Sequence, residues 1–410
     1  MAESLSKIVE AWLQRVVLGP PTFAANGDLP NMVVYPIYPT ELSADPPNIL
    51  TLEDGLRKGV KLSDTGMVSQ VHVNNPLDAP ILVGESDILV GPTQLRSVQI
   101  SCLIPPNRRS SLPVSCVEAG QPTVYQAAFT ATEACPWYIR SFKTEQLARH
   151  GEAHQHRIWD NIKSYLENTG AVSKTHDVRA VFGRYGDDVR VLSEIFPARP
   201  GQVGVVSAVG QDLFLELFAD PEIFEERYDK VLESALIEAI AHPTDQVTRP
   251  AHARQMLDDL AHASRDSKVL QSRSLQSSGR SLVFSADGIS GSALLSGSHP
   301  VQLAAHKRCW GHGRPFFEQL DELESGQKRW HSQQRSFVDQ LERDYSKRRR
   351  RYKAFKDSLK PKWKESEVAI EPDFDDGFAS EERDSSPAPV PLNPSVHQFF
   401  LDLFKKQLDV

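Results

Sequence analysis

The pattern of apolar and polar residues divides the chain into segments of different predicted structure. In residues 1–20, apolar side chains recur at helical spacing and stop before a Gly-Pro-Pro sequence, which predicts an N-terminal amphipathic helix. Residues 21–145 hold short β-rich runs separated by Pro, Gly, Asn and Asp, so they predict a β-rich domain built as an antiparallel sheet or a sandwich. Residues 146–310 combine helical and β-rich runs and predict a mixed α+β domain.

Local signals predict individual elements of the mixed domain. Apolar residues on one face predict a helix from Glu152 to Asn168. Two β-rich runs between Val203 and Phe218 flank a Gly-Gln-Asp turn, which predicts a hairpin. Asp220 and Pro221 are typical of a helix N-cap and first helical position, so a long helix is predicted from there to about Ala241. Two later strands are predicted at Ser281 to Phe284 and Ser292 to Leu303.

The C-terminal extension alternates in charge. Residues 311–364 are densely charged with a basic end, and they predict one or two surface helices. Residues 365–393 are acidic and rich in Ser and Pro, and because they cannot bury enough apolar surface to offset their ordering entropy, they predict a disordered linker. Residues 394–410 form an apolar stripe and predict an amphipathic tail helix. The whole chain is therefore predicted to be α+β, with a β-rich N-terminal half, a mixed α/β second half and a helical, partly disordered C-terminal extension.

This extension offers two candidate interaction surfaces. The tail helix would dock on its own domain or enter a groove of a protein partner, through Val396, Phe399, Phe400, Leu403, Phe404 and Leu408. The basic end of the charged helix interleaves cations with aromatic rings as nucleic-acid binders do, with the candidate contacts Arg348, Arg349, Arg350, Arg351, Lys353 and Lys356. The alternative for this basic end is a solvated helix that the acidic linker neutralises. One hypothesis is therefore a non-enzymatic interaction subunit of a larger complex.

Composition narrows the class of protein. The chain has 410 residues, a net charge of -8, 40% hydrophobic and 24% charged residues, as in a globular protein that does not coat nucleic acid. It contains neither a signal peptide pattern nor an apolar run long enough to span a bilayer, so we expect a cytoplasmic protein that does not enter a membrane. The cysteines lack metal-binding spacing and are expected to be reduced thiols: Cys102, Cys116, Cys135 and Cys309.

Candidate chemistry is concentrated in the β-rich domain. Gln94 and Arg96 are followed about twenty residues later by Glu118. Arg96 could clamp a phosphate or carboxylate because its planar fork donates two parallel hydrogen bonds, or it could form an internal ion pair with Asp87 or Glu118. Glu118 is the candidate catalytic residue, as a general base, and it could instead hold a ribose diol or be structural. The predicted ligand-binding set is Gln94, Arg96 and Glu118.

Two other groups of residues are candidate catalytic or metal-binding sites. Cys116 lies among apolar residues of a strand, where a thiol usually packs as a small hydrophobe rather than acting as a nucleophile. His150, His154 and His156 have a spacing that can bind metal, but a solvated His-rich turn is the preferred interpretation and no metal is assigned. No dinucleotide or Walker motif is present, so the cofactor is unknown.

The ordered motifs resemble a known family. Leu89-x-Gly91-x-x-Gln94-x-Arg96, Pro113-Val114-Ser115-Cys116-Val117-Glu118, the Gln155-x-x-x-Trp159 helix and Ser173-x-Thr175 are similar to the family named for its genomic association with ADP-ribosylglycohydrolases and rhodanese-phosphatase-superfamily proteins. The resemblance covers roughly residues 20–308. This chain has Leu95 where the family usually has Asn, and Gln302 where it commonly has His.

The resemblance implies a place near ADP-ribose, NAD or phosphorylated-nucleotide metabolism. Our leading hypothesis is therefore the binding of a phosphorylated nucleotide-like ligand, such as ADP-ribose or an NAD-related compound, with hydrolysis as a further step that the sequence leaves open. Whether the chain is an enzyme at all is also left open.

Overall fold

The computed structural model describes residues 2–24, 29, 31–41, 48–91, 94–119, 128–243, 250–270 and 277–307. The predicted charged helix, acidic linker and tail helix, with their candidate nucleic-acid and partner contacts, lie outside these residues. Within the described part, no helix is long and apolar enough to cross a membrane.

Helices and strands alternate along the described part of the chain in a mixed order. The helices are α1 (Ala2–Leu13), α2 (Leu52–Arg57), α3 (Trp137–His150), α4 (Gln155–Thr169), α5 (Ala180–Ser193), α6 (Pro221–Ala241) and α7 (Pro250–Ala263). The first strands are β1 (Val16–Leu18), β2 (Thr22–Phe23), β3 (Met32–Pro39), β4 (Leu50–Thr51), β5 (Lys61–Asp64), β6 (Gln70–Asn75), β7 (Ile81–Val83), β8 (Asp87–Val90) and β9 (Arg96–Val98). The later strands are β10 (Cys102–Ile104), β11 (Arg108–Cys116), β12 (Ala128–Ala134), β13 (Gly204–Val209), β14 (Asp212–Phe218), β15 (Lys268–Val269), β16 (Arg280–Ala286), β17 (Ile289–Ser296) and β18 (His299–Lys307).

Nine strands form one antiparallel sheet in the order β1-β3-β13-β14-β18-β17-β16-β15, with β2 also paired to β3. The predicted hairpin is confirmed as β13 and β14, which turn at Gly210 in the left-handed region at φ 58°. The predicted helix start is confirmed as well, since the Asp220 side chain accepts a hydrogen bond from the Glu222 amide at 2.8 Å and Pro221 opens α6. The predicted strands near residues 281–284 and 292–303 are confirmed within β16, β17 and β18.

The N-terminal helix is shorter than predicted. It ends at Leu13, and Val16–Leu18 forms an edge strand antiparallel to β3. Val16 is buried against the sheet there. Pairing with β3 therefore prevails over the local helical spacing, and the β-branched residues Val16 and Val17 favour the strand.

Six strands close into a barrel in the order β11-β6-β5-β12-β8-β9, with β9 paired back to β11. Alternate residues of these strands face inwards, and the interior is filled by Leu62, Val71, Val73, Leu89, Val98, Leu112, Val114 and Phe129. The predicted β-rich N-terminal half is thus largely a barrel, which is the closed form of an antiparallel sheet. The small sheet β10-β7-β4 continues the same apolar core.

Both faces of the nine-stranded sheet are covered by helices. On one face, alternate residues such as Tyr35 and Val206 share a core with α1 and α7. On the other face, Val34 and Val205 share the largest core with α6, α4 and α5. This arrangement confirms the predicted α+β class for the described residues, and it places the helices α3 and α6 between the sheet and the barrel.

A buried group of charges, here called the charged joint, links these helices to the segment that contains β8. Its acidic members are Glu85, Asp87 and Glu216, which are buried, and Glu53, which is partly exposed; its basic members are Arg140, Lys143, Arg227 and Lys230. Burial raises the pKa of Glu85 and lowers the pKa of Lys143. The ammonium of Lys143 donates to Ser97 Oγ at 2.5 Å and to the Val98 carbonyl at 2.7 Å.

Candidate functional site

The structure brings Gln94, Arg96, Cys116 and Glu118 together at one end of the barrel. Cys116 of β11 is directly opposite Arg96 of β9, and the Gln94 side-chain amide donates to the Glu118 carbonyl at 3.2 Å. Arg96 and Cys116 project from the same face of their strands as Val98 and Val114 of the barrel core, and Gln94 and Glu118 lie just beyond the ends of β9 and β11. We call these four residues the barrel mouth.

Burial increases along the barrel mouth. The Glu118 side chain is half-buried, Gln94 is 3% exposed, and Arg96 and Cys116 have no exposed surface. Glu118 therefore marks the end that faces solvent, and Arg96 lies deeper in the barrel.

Arg96 forms an ion pair with neither of the partners proposed from the sequence. Its Nη2 atom lies 3.4 Å from Asp64 Oδ2, and both side chains are buried. The Nε and Nη1 atoms of Arg96 have no hydrogen-bond partner among the described residues. A buried donor without a partner costs about 1–3 kcal/mol, so this guanidinium is poorly satisfied by the protein.

Glu118 is positioned by the segment between α4 and α5. The Thr175 hydroxyl donates to Glu118 Oε1 at 2.7 Å, and the Ala119 amide donates to the Thr175 carbonyl at 2.8 Å. Among the described residues Glu118 Oε2 receives no hydrogen bond, and Gln94 Oε1 is buried without a partner. The outer end of the barrel mouth therefore holds two acceptor oxygens, one in the half-buried Glu118 side chain and one buried on Gln94.

Cys116 is a packing residue, as predicted. Its thiol lies 3.6 Å from the Val68 carbonyl, and burial raises its pKa to about 12. Its backbone is fixed by Gln155, whose side chain donates to the Cys116 carbonyl at 2.8 Å and accepts from the Cys116 amide at 2.9 Å. Cys102, Cys116 and Cys135 are free and buried, and Cys309, the fourth cysteine of that prediction, lies outside the described residues.

Gly91 makes room for an aromatic ring in the barrel. A Cβ atom at this position would lie 2.5 Å from the Phe129 ring, closer than any side chain tolerates. The glycine of the motif is therefore explained by the close approach of Phe129, which belongs to the barrel core.

An open cleft of about 540 Å³ lies beside Thr175. It is lined by residues that include Glu133, Val172, Ser173, Asp177, Arg179 and Phe182. Arg179 donates to Asp177 through both Nε and Nη2, and this hydrogen bonding raises the pKa of Arg179, with smaller contributions from Glu133 and Glu118. His176, between Thr175 and Asp177, has φ 52°, a strained value for a residue with a side chain.

The cleft and the deep part of the barrel mouth were not predicted from the sequence. Asp64 ends an ordinary β-rich run, and nothing in that run signals its pairing with Arg96. Ser173 and Thr175 belong to the Ser173-x-Thr175 motif of the family resemblance. Asp177 and Arg179 form an ion pair, but opposite charges two residues apart are too common in sequences to predict one.

Other residues singled out in the sequence lie elsewhere. Gln302 is in β18 of the nine-stranded sheet, where its side-chain amide donates to Glu216 Oε1 at 2.7 Å. His154 is close to the other two histidines, with ring centroids 6.0 Å from His150 and 5.9 Å from His156. In the part of the chain that the structure describes, no group of three or more His, Cys, Asp or Glu side chains is arranged to hold a metal ion.

Comparison with known proteins identifies one relationship. The family model described as ARG and Rhodanese-Phosphatase-superfamily-associated Protein domain matches residues 23–306. A search of curated proteins and a search of solved structures found no match. The matched range contains the whole barrel, every residue of the barrel mouth and the cleft, and the nine-stranded sheet except β1 and one end residue each of β2 and β18.

Proposed function

We propose that this chain, which belongs to the family of ARG and Rhodanese-Phosphatase-superfamily-associated Protein domains, binds a phosphorylated nucleotide-like ligand such as ADP-ribose or an NAD-related compound. The observation that supports this proposal is the convergence of Gln94, Arg96 and Glu118 in the barrel mouth beside an open cleft. The family name supports the ligand class, since it associates the domain with ADP-ribosylglycohydrolases.

The cleft suits a ligand of this size and composition. Its volume of about 540 Å³ lies within the range of about 300–1,000 Å³ that is usual for small-molecule sites. Val172, which is 82% exposed, and Phe182 give it an apolar wall against which a base can pack. The carboxylates of Glu133 and Glu118 can accept hydrogen bonds from ribose hydroxyls.

A hydrolytic step at this site would use Glu118 as the general base. Thr175 holds Glu118 Oε1, which leaves Oε2 to accept a proton from an attacking water. Of the three candidate residues, Glu118 alone is a carboxylate, and it lies at the solvent end of the barrel mouth.

Binding can be measured by calorimetry on the full chain with ADP-ribose, NAD and ADP. We expect at least one of them to bind, and Glu118→Gln to weaken that binding about tenfold, since a hydrogen bond to a charged group contributes roughly 1.5–3 kcal/mol. Glu152→Gln is the matched control because the Glu152 side chain is 70% exposed and lies outside both the barrel mouth and the cleft lining. Absence of binding by these three compounds and also by AMP and ribose 5-phosphate, or equal affinities in the two variants, would contradict the proposal.

A further inference from the structure

Arg96 is less satisfied by the protein than the other buried arginines. Arg140 and Arg227 make ion pairs of 2.9 Å and 2.7 Å, and each leaves only Nε without a partner. Arg96 leaves both Nε and Nη1 without a described partner, and its contact with Asp64 is 3.4 Å long. Most buried polar groups in folded proteins have a partner, so an unsatisfied guanidinium is a candidate to bind a further acceptor, either a water molecule or an anion.

The arrangement of donors and acceptors in the barrel mouth indicates the chemical groups of a ligand that could bind there. Among the described residues, donors without a partner lie at the inner end, on Arg96, and acceptors without one lie at the outer end, on the buried Gln94 Oε1 and on Glu118 Oε2. Gln94 and Glu118 lie two residues beyond Arg96 and Cys116, just outside β9 and β11, and two residues of extended chain span about 7 Å. A ligand that matches both sets of groups carries an anionic group at one end and hydroxyl groups about one sugar ring away.

The anionic group must also be terminal. Arg96 has no exposed surface, and the barrel beneath it is filled by Leu89, Val98, Val114 and Phe129. A phosphate with one substituent would have to approach Arg96 from the Glu118 side, past Gln94, whose side chain is buried and has to move aside. A pyrophosphate inside a dinucleotide carries a bulky group at each end, and the filled barrel has no space for the second group.

We propose that the barrel mouth binds the terminal phosphomonoester of a ribose-containing ligand. The phosphate accepts hydrogen bonds from Arg96 Nε and Nη1, and the ribose hydroxyls donate to Gln94 Oε1 and Glu118 Oε2. The rest of the ligand extends into the cleft beside Thr175. This inference rests on the proposed function and narrows it from nucleotide-like ligands in general to those that end in a phosphate on a ribose.

The ligand test compares phosphomonoesters with compounds whose phosphates are internal. Calorimetry on the full chain would use ribose 5-phosphate and AMP on one side, ADP-ribose and NAD on the other, and ribose as the phosphate-free control. We expect a phosphomonoester to bind at least tenfold more tightly than ADP-ribose, NAD and ribose. If ADP-ribose or NAD binds as tightly or more tightly, the inference is overturned while the proposed function stands, and if nothing binds, both are overturned.

The residue test uses Arg96→Lys, which keeps a positive charge beside Asp64 but removes the extra guanidinium donors. We expect this variant to bind the phosphomonoester about 10- to 100-fold more weakly, the range for lost charge-assisted hydrogen bonds. Arg109→Lys is the matched control, since Arg109 lies on β11, the strand paired with β9, and has an exposed side chain. Equal affinity in both variants would overturn the inference.

Competition by inorganic phosphate in the unmodified chain provides a measurement that does not depend on the folding of a variant. We expect millimolar phosphate to weaken the binding of the phosphomonoester. If phosphate leaves that binding unchanged, Arg96 does not hold the phosphate group and the assignment fails.

Discussion

The charged joint makes Asp87 the residue whose loss should destabilise the fold most clearly. Asp87 is fully buried, its Oδ1 lies 2.7 Å from Arg227 and 3.1 Å from Lys230, and its Oδ2 accepts from the Gly84 amide at 2.8 Å. Burial by itself would raise the pKa of Asp87, but the charges of Arg227 and Lys230 outweigh it and lower the pKa to about 2.

This pKa gives a first magnitude and a direction with pH. A decrease from 3.8 to about 2 corresponds to about 2 kcal/mol of stability at neutral pH. Because the pKa of Asp87 is lower in the folded state, this contribution is fully present above about pH 4 and is lost as the pH falls through about 2. Asp87→Asn should cost more, about 3–5 kcal/mol, since it also leaves buried cations with one fewer counter-ion.

Chemical denaturation of the full chain at pH 7 measures the change. We expect Asp87→Asn to lower the free energy of unfolding by about 3–5 kcal/mol. Asp187→Asn, which removes an 85% exposed carboxylate paired with Arg190, should change it by less than about 1 kcal/mol. The difference between the unmodified chain and Asp87→Asn should shrink as the pH is lowered from about 5 towards 2. A loss below about 1 kcal/mol at pH 7, or a difference that grows towards low pH, would refute this account of the joint.

Three further outcomes can be checked on the purified chain. Gly91→Ala should lower the free energy of unfolding by about 1–3 kcal/mol, because its methyl group meets the Phe129 ring at 2.5 Å, and an unchanged melting temperature would contradict this explanation of the glycine. Gln155→Leu should cost about 1–3 kcal/mol by leaving the amide and carbonyl of Cys116 without partners, and a variant as stable as the unmodified chain would show that other groups replace them. Cys116 should resist alkylation by iodoacetamide at pH 8 in the folded chain and react after unfolding, since its pKa is about 12, so rapid alkylation of the folded protein would show that the thiol is accessible.

The elements that could be predicted from the sequence depend on neighbouring residues. The Asp220-Pro221 helix start and the β13–β14 hairpin are encoded by side chains within a few positions of each other, and both were found. The grouping of Gln94, Arg96 and Glu118 was also predicted, because their strands are close in sequence and adjacent in the barrel.

The features that were not predicted depend on pairing between distant residues. Asp64 approaches Arg96 only because the barrel closes, and Asp177 and Arg179 approach the barrel mouth only because the segment after α4 runs along the end of β11. The strand Val16–Leu18 likewise exists only where β3 offers it an edge. Periodicity and turn residues carry no information about such contacts, which the chain makes only once its tertiary structure forms.

The position of β3 in the nine-stranded sheet has a consequence for synthesis. β3 ends at Pro39, but its neighbour β13 begins about 165 residues later, at Gly204, after all the barrel strands. At about 5–20 residues per second, a ribosome needs roughly 10–30 seconds to synthesise the chain from β3 to β13. One edge of β3 stays unpaired for that time. The barrel strands, which are complete by Ala134, can close much earlier. During this interval the nascent chain has an unpaired edge on the apolar strand β3 while the barrel can already be closed. We expect this to be the stage at which a chaperone that shields β3 reduces aggregation most.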